Sequence, residues 1–301
     1  MLMIRVANAP CSWGVLEFNS EAKSAPYSQV LDEIAATGYT GTELGDWGFM
    51  PTDPAALHGE TSRRNLRLIA AFVPVALANA SAHAPGIATA VKTARLLRDA
   101  DGPDAFIVLS DDNGSVPARE ARAGRITAAD GLDAQQWTTF AAGADAVAKA
   151  VKDETGLRTV FHPHCAGYVE TASEIDELMK RTDPSRLGLC LDTGHLVYAG
   201  ADPLQVLADH QSRIWHVHFK DCDPAVAQTA RQKGLGYLAA VRSQLFCELG
   251  RGSVDFAAVR AALANMNYDG WIVVEQDVFP GYGSPQESAA RNRQFLHSIG
   301  L

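Results

Sequence analysis

The chain has 301 residues, 47% of them apolar and 20% charged, with 26 Lys and Arg against 35 Asp and Glu for a net charge of −9. This composition excludes a disordered or low-complexity chain. The acidic balance excludes the broad basic face on which nucleic-acid binding depends.

Short apolar runs alternate with longer helical patterns from one end of the chain to the other. The runs that read as strands are Met3–Ala9, Thr40–Leu44, Arg67–Val73, Ala105–Ser110, Arg158–His162, Leu187–Asp192, Ile214–Phe219 and Trp271–Gln276. Most carry Val, Ile, Leu and Phe without strict polar alternation, as parallel strands covered on both faces do. Helical patterns lie between them, among them Ser28–Ala36, Ala88–Ala100, Ala134–Glu154, Ala172–Lys180 and Phe256–Met266. Eight β-α units predict a single (β/α)₈ TIM barrel, one domain over residues 1–301. The competing doubly wound sheet lacks support, because no GxGxxG follows the first strand. Two connections are long, Ser110 to Ala134 and Asp221 to Gly270, and long ordered loops usually cover a site.

The five cysteines, Cys11, Cys165, Cys190, Cys222 and Cys247, are scattered, with no CxxC pair. Such a set predicts small buried hydrophobes in a reducing compartment. The longest apolar stretch, Leu68 to Ala82, is too short to span a bilayer and contains Pro74. The expectation is a soluble, cytoplasmic protein that binds neither membrane nor nucleic acid.

Catalytic groups of such barrels sit at the C-terminal ends of the strands, and there the polar residues gather. The fifth strand ends His162-Pro-His164, the sixth Asp192-Thr-Gly-His195, the seventh His216-Val-His218-Phe-Lys220-Asp221 and the eighth Glu275-Gln-Asp277. Residues two apart share a strand face, so His216, His218 and Lys220 point one way. One mouth thus collects His162, Asp192, His218 and Glu275 from four successive strands. Buried carboxylates need a partner, and a divalent cation held by two imidazoles and two carboxylates supplies one; the mixed set suits manganese, cobalt, iron or zinc better than calcium. Taken singly, each residue has a plainer role. Asp192 could cap the following helix, Glu275 could pair with a loop Lys or Arg, and His216 reads as a core or supporting histidine. Convergence of all four favours the metal.

These motifs, with Ser12-Trp13-Gly14 after the first strand and Glu43-Leu-Gly45-Asp-Trp47-Gly48 after the second, resemble the xylose-isomerase-like sugar isomerase and epimerase barrels. Within them, the chain is most similar to the inosose (keto-inositol) dehydratases, over nearly its whole length. The resemblance implies one divalent metal, most often manganese or cobalt, a small keto-polyol or sugar substrate and, weakly, a homo-oligomer. Much of the superfamily has Glu where this chain has His162, and in epimerases that Glu is one of two acid/base groups; its replacement points to a dehydratase, with a ketose isomerase or epimerase as the alternative. The loop His164-Cys-Ala-Gly-Tyr168 also departs from the Met-Gly-Thr type of continuation expected in inosose dehydratases. The related apurinic endonucleases need further metal ligands and a basic surface that this acidic chain lacks. A sugar-binding barrel without catalysis would leave the clustered ionisable groups without a task.

For catalysis, the candidate base is His164, with Glu275 as the other choice. The candidate acid is Lys220 or His195, a nearby metal lowering the lysine's pKa. Asp221 is expected to orient Lys220, Trp13 and Trp47 to wall the substrate ring, and Glu43 to accept substrate hydroxyls.

Overall fold

The computed structural model describes residues 4–15, 25–101, 104–279 and 281–301. Eight parallel strands close into a barrel: β1 (Arg5–Asn8), β2 (Gly41–Glu43), β3 (Arg67–Pro74), β4 (Phe106–Ser110), β5 (Arg158–Phe161), β6 (Leu187–Asp192), β7 (Ile214–Phe219) and, last in the chain, β10 (Trp271–Val274). Each pairs with its neighbours in sequence order, and β1 closes the ring on β10 through the register Arg5↔Trp271 to Asn8↔Val274. Two short strands outside the barrel, β8 (Asp221–Cys222) and β9 (Phe246–Cys247), pair antiparallel within the last long connection. The predicted strands all exist; most differ from the expected bounds by one or two residues at an end, and only Leu187–Asp192 and Ile214–Phe219 match at both; Met3 lies outside the described residues. The third helix, Ala80–Asp101, starts before the expected Ala88 and carries Pro85 within it, at the cost of one intrahelical hydrogen bond. Among the described residues no helix is long and apolar enough to cross a membrane.

Alternation along each strand decides which side chains reach the interior. The largest apolar cluster joins Phe161, Leu189, Leu191, Val217, Phe219, Ile272 and Val274 to helix residues such as Phe140 and Val147, so it fills the layer between barrel and helices. A smaller cluster of strand residues alone, Ala70, Phe106, Val108, Val160 and Cys190, packs the barrel's inside. If Phe161, Leu191, Val217, Phe219 and Val274 face outward, then His162, Asp192, His216, His218, Lys220 and Glu275 must face inward. All six are buried.

Candidate metal and acid-base site

Two of the sequence motifs lock together. Thr193 Oγ1 donates to Lys220 O at 2.7 Å and accepts from Lys220 N at 3.0 Å. Gly194 follows because a Cβ there would stand 2.6 Å from Lys220 Cγ and 3.0 Å from its carbonyl oxygen. Asp192 caps the helix Thr193–Tyr198, its Oδ1 accepting from His195 N at 2.9 Å. The plain capping role is therefore real, but it uses one oxygen only. Asp192 Oδ2 is buried with no hydrogen-bond partner, as is His218 Nδ1.

Those two atoms converge with two more. His162 Nε2 lies 3.4 Å from Asp192 Oδ2, and His218 Nδ1 lies 3.8 Å from Asp192 Oδ2 and 3.3 Å from Glu275 Oε2. Donors roughly 2.1 Å from one cation stand about 3.4 Å apart at tetrahedral angles, so the spacing fits a shared divalent ion. Burial raises the pKa of Asp192 and Glu275, but the cationic groups around them outweigh it: Lys220 and His162 for the first, His218 and Lys220 for the second. Both are held as carboxylates, the form that ligates. Glu43 reaches across from β2, and its Oε1 accepts from His216 Nε2 at 2.9 Å and His218 Nε2 at 3.0 Å. Burial opposes a charge on His218, but Cys190, Glu275 and Glu43 hold its pKa well above the usual imidazole range; Glu43 keeps the proton on Nε2, so a cation at the donor set would take the place of the Nδ1 proton.

Beside this set lie the acid-base groups. His164 Nδ1 is 2.6 Å from the carbonyl oxygen of Cys165, which can only accept, so the proton sits on Nδ1 and Nε2 is a free base. Burial first, then the charges of His162 and Lys220, push the His164 pKa well down. His195 is depressed in the same way by burial and by His164 and Lys220, and its ring lies 3.9 Å from that of His164. Lys220 Nζ is 3.0 Å from Asp277 Oδ2, 3.1 Å from Glu275 Oε2 and 3.1 Å from His195 Nε2. Burial opposes its charge, but Asp277, Glu275 and Asp192 together hold its pKa well above the usual amine range. A recess of about 70 Å³ exposes Glu43, His162, His164, Lys220, Glu275 and Asp277 to one space. Asp277 also borders a larger cavity of about 690 Å³ that reaches Trp13.

Several expectations need correction. Asp221 does not orient Lys220. It follows Lys220 directly and turns away, its oxygens accepting N–H groups from Cys222, Gly250, Gly252 and Val254 at 2.8–3.2 Å, so it offers no free oxygen to a substrate. Asp277 holds Lys220 instead, and Tyr237 Oη donates to Asp277 Oδ2 at 3.2 Å. Trp47 does not wall the site: it is 42% exposed and stacks under Lys92 Nζ at 3.7 Å. Trp13 is buried, donating from Nε1 to Glu33 at 2.6 Å, and borders the larger cavity and not the recess. Glu43 lines the recess, but its Oε1 is already shared by two imidazoles. The residues missed were Asp277, signalled by its two-residue offset from Glu275, and Tyr237, which sits on a helix of the last long connection with no such signal.

The chain matches the family model described as xylose isomerase-like TIM barrel over residues 31–299. It is 31% identical over 295 residues to an inosose dehydratase of Lacticaseibacillus casei, covering 98% of this chain and 97% of that one. It is 30% identical over 295 residues to an inosose dehydratase of Geobacillus kaustophilus, covering 98% and 94%. Among solved structures, an L-ribulose 3-epimerase superposes with a TM-score of 0.71 at 19% identity, covering 99% of this chain and 94% of the other, a likeness of fold.

Proposed function

This chain belongs to the xylose isomerase-like TIM barrel family, and from that premise we propose that it is a metal-dependent hydro-lyase that removes water from a cyclic keto-polyol such as inosose. The observation that carries the reading is a set of four metal-competent donors within 4.8 Å of one another, two of which, His162 and Glu275, line one recess with the His164 imidazole and the Lys220 ammonium. Full-length relatives named inosose dehydratase support the substrate class.

His162, Asp192, His218 and Glu275 would hold the cation, and their mixed nitrogen and oxygen set suits manganese, cobalt, iron or zinc better than calcium. When bound, it supplies Lewis-acid polarisation of a substrate ketone, which acidifies the neighbouring C–H. His164 Nε2 is the base for that proton: its tautomer is fixed by the Cys165 carbonyl and its depressed pKa keeps it unprotonated at neutral pH. Lys220 donates a proton to the β-hydroxyl, the C–O bond breaks, and water leaves. Asp277 and Glu275 aim the ammonium through their contacts at 3.0 and 3.1 Å. The substrate loses H from one carbon and OH from the next. The residues are left as imidazolium and amine, and proton transfer from the first to the second restores the site. Glu275 pairs with Lys220 and shares the cation, so it is not needed as the base.

The test is an assay of the metal-replete protein with a keto-inositol in deuterated water, followed by NMR. Loss of substrate to an unsaturated or diketone product, abolished by a chelator and by Asp192→Ala, is the expected result. Deuterium entering the substrate without loss of water would replace this reading with that of an isomerase or epimerase.

A further inference from the structure

The neighbours of the Lys220 ammonium form a donor set of the kind that holds metals. Asp277 Oδ2, Glu275 Oε2 and His195 Nε2 all lie within 3.1 Å of Nζ. His164 stands behind His195, and the donor atoms of His164, His195 and Asp277 all lie within 4.8 Å of one another. With Glu275 at the shared border, this is again two imidazoles and two carboxylates, the inventory of the His162, Asp192, His218 and Glu275 set. Both imidazoles are buried; the Cys165 carbonyl holds the proton of His164 on Nδ1 and leaves Nε2 with a lone pair, and His195 turns Nε2 to within 3.1 Å of the ammonium. The first set is open at Asp192 Oδ2 and His218 Nδ1. The second is filled by a cation that belongs to the chain, admitted by the missing side chain at Gly194.

We propose that the Lys220 ammonium takes the place of a second divalent cation, and that His164, His195, Asp277 and Glu275 form a latent metal site that opens when the ammonium is removed. The inference rests on reading the first set as a cation site and adds why the centre stays mononuclear. The carboxylates of Asp277, Glu275 and Asp192 face the ammonium at 3.0, 3.1 and 3.7 Å, so its removal leaves them without that cation and favours another in its place. The two kinds of cation differ in chemistry. A second metal ion grips another substrate oxygen, which suits isomerisation, whereas an ammonium can surrender a proton to a leaving hydroxyl. Lys220 in this place therefore biases the barrel toward loss of water.

The experiment compares the parent chain with Lys220→Ala, which opens the space, and Lys220→Met, which fills it without charge. Lys220→Ser serves as a second opened variant should the alanine chain fail to fold, and Lys220→Ala with His195→Ala removes a donor from the opened site. Each is stripped with chelator, titrated with Mn²⁺, desalted and measured for bound manganese and by electron paramagnetic resonance. The opened variants are expected to bind one equivalent more than the parent and to show the exchange-coupled spectrum of two adjacent Mn²⁺ ions; the methionine and double variants gain nothing. A folded opened variant with no added equivalent overturns the proposal, as does a parent that already takes two. A parent that takes none beside an opened variant that takes one would remove the first site and leave this one standing.

Discussion

Asp192 ends β6, and Asp221 begins β8 two residues past the end of the adjacent β7; their motifs bond to each other, and both residues are buried. Their surroundings are opposite. Asp221 is filled by four backbone N–H groups, three of them from the 250–254 segment, and Gly252 is required there because a Cβ would come within 2.2 Å of its Oδ1. Asp192 spends one oxygen on a helix cap and leaves the other without a partner. A buried carboxylate saturated by backbone is a staple, and one left half-empty beside other empty donors is a ligand. Residue type and strand position do not separate the two; the accounting of hydrogen bonds does.

The same Asp→Asn change at both positions gives the sharpest contrast. Asp192→Asn keeps the capping oxygen and replaces the open one, so manganese affinity should fall by more than the roughly 10–100-fold that supporting residues command, with stability changed by less than about 1 kcal/mol. Isothermal titration and thermal melting would read both. Asp221→Asn turns an NH₂ group toward N–H donors and should cost about 2–3 kcal/mol of stability, leaving metal stoichiometry intact below the melting transition. A destabilised Asp192→Asn with normal metal binding would dissolve the distinction. Glu43→Gln tests an intermediate case, a carboxylate that acts through imidazoles. The amide oxygen can still accept but has lost its charge, so affinity should drop about tenfold, read in the same titration. Trp47→Ala should be smallest: kcat and KM unchanged, and about 0.5–1 kcal/mol lost with the stack on Lys92.

The barrel was legible because its strands are apolar on both faces and its helices are not, a contrast that survives without any partner information. His162, His164, Asp192, His195, His218, Lys220 and Glu275 were legible because strand ends in this fold point into one mouth. The misreadings came where direction within that mouth mattered. Asp221 neighbours Lys220 in sequence, and adjacent strand residues face opposite sides; the alternation that grouped His216, His218 and Lys220 already excluded it. The same rule links Glu275 to Asp277. Trp47 and Trp13 lie in connections after strands, where no periodicity fixes a side chain's heading. Glu43 was found, but its partners were not, because a bond spanning 173 residues to His216 leaves no mark in local spacing.

The ring is sealed only where β1 meets β10, and the metal-competent donors come from residues 162 to 275. During synthesis the first half of the chain leaves the ribosome with none of them, and the set is complete only after the strand that closes the barrel has emerged. An ion captured there would tie the end of β10 to those of β5, β6 and β7, adding a stabilisation that grows with its free concentration. Such an ion would favour the docking of the last-made strand, and removing it with a chelator should lower the melting temperature of the metal-replete chain.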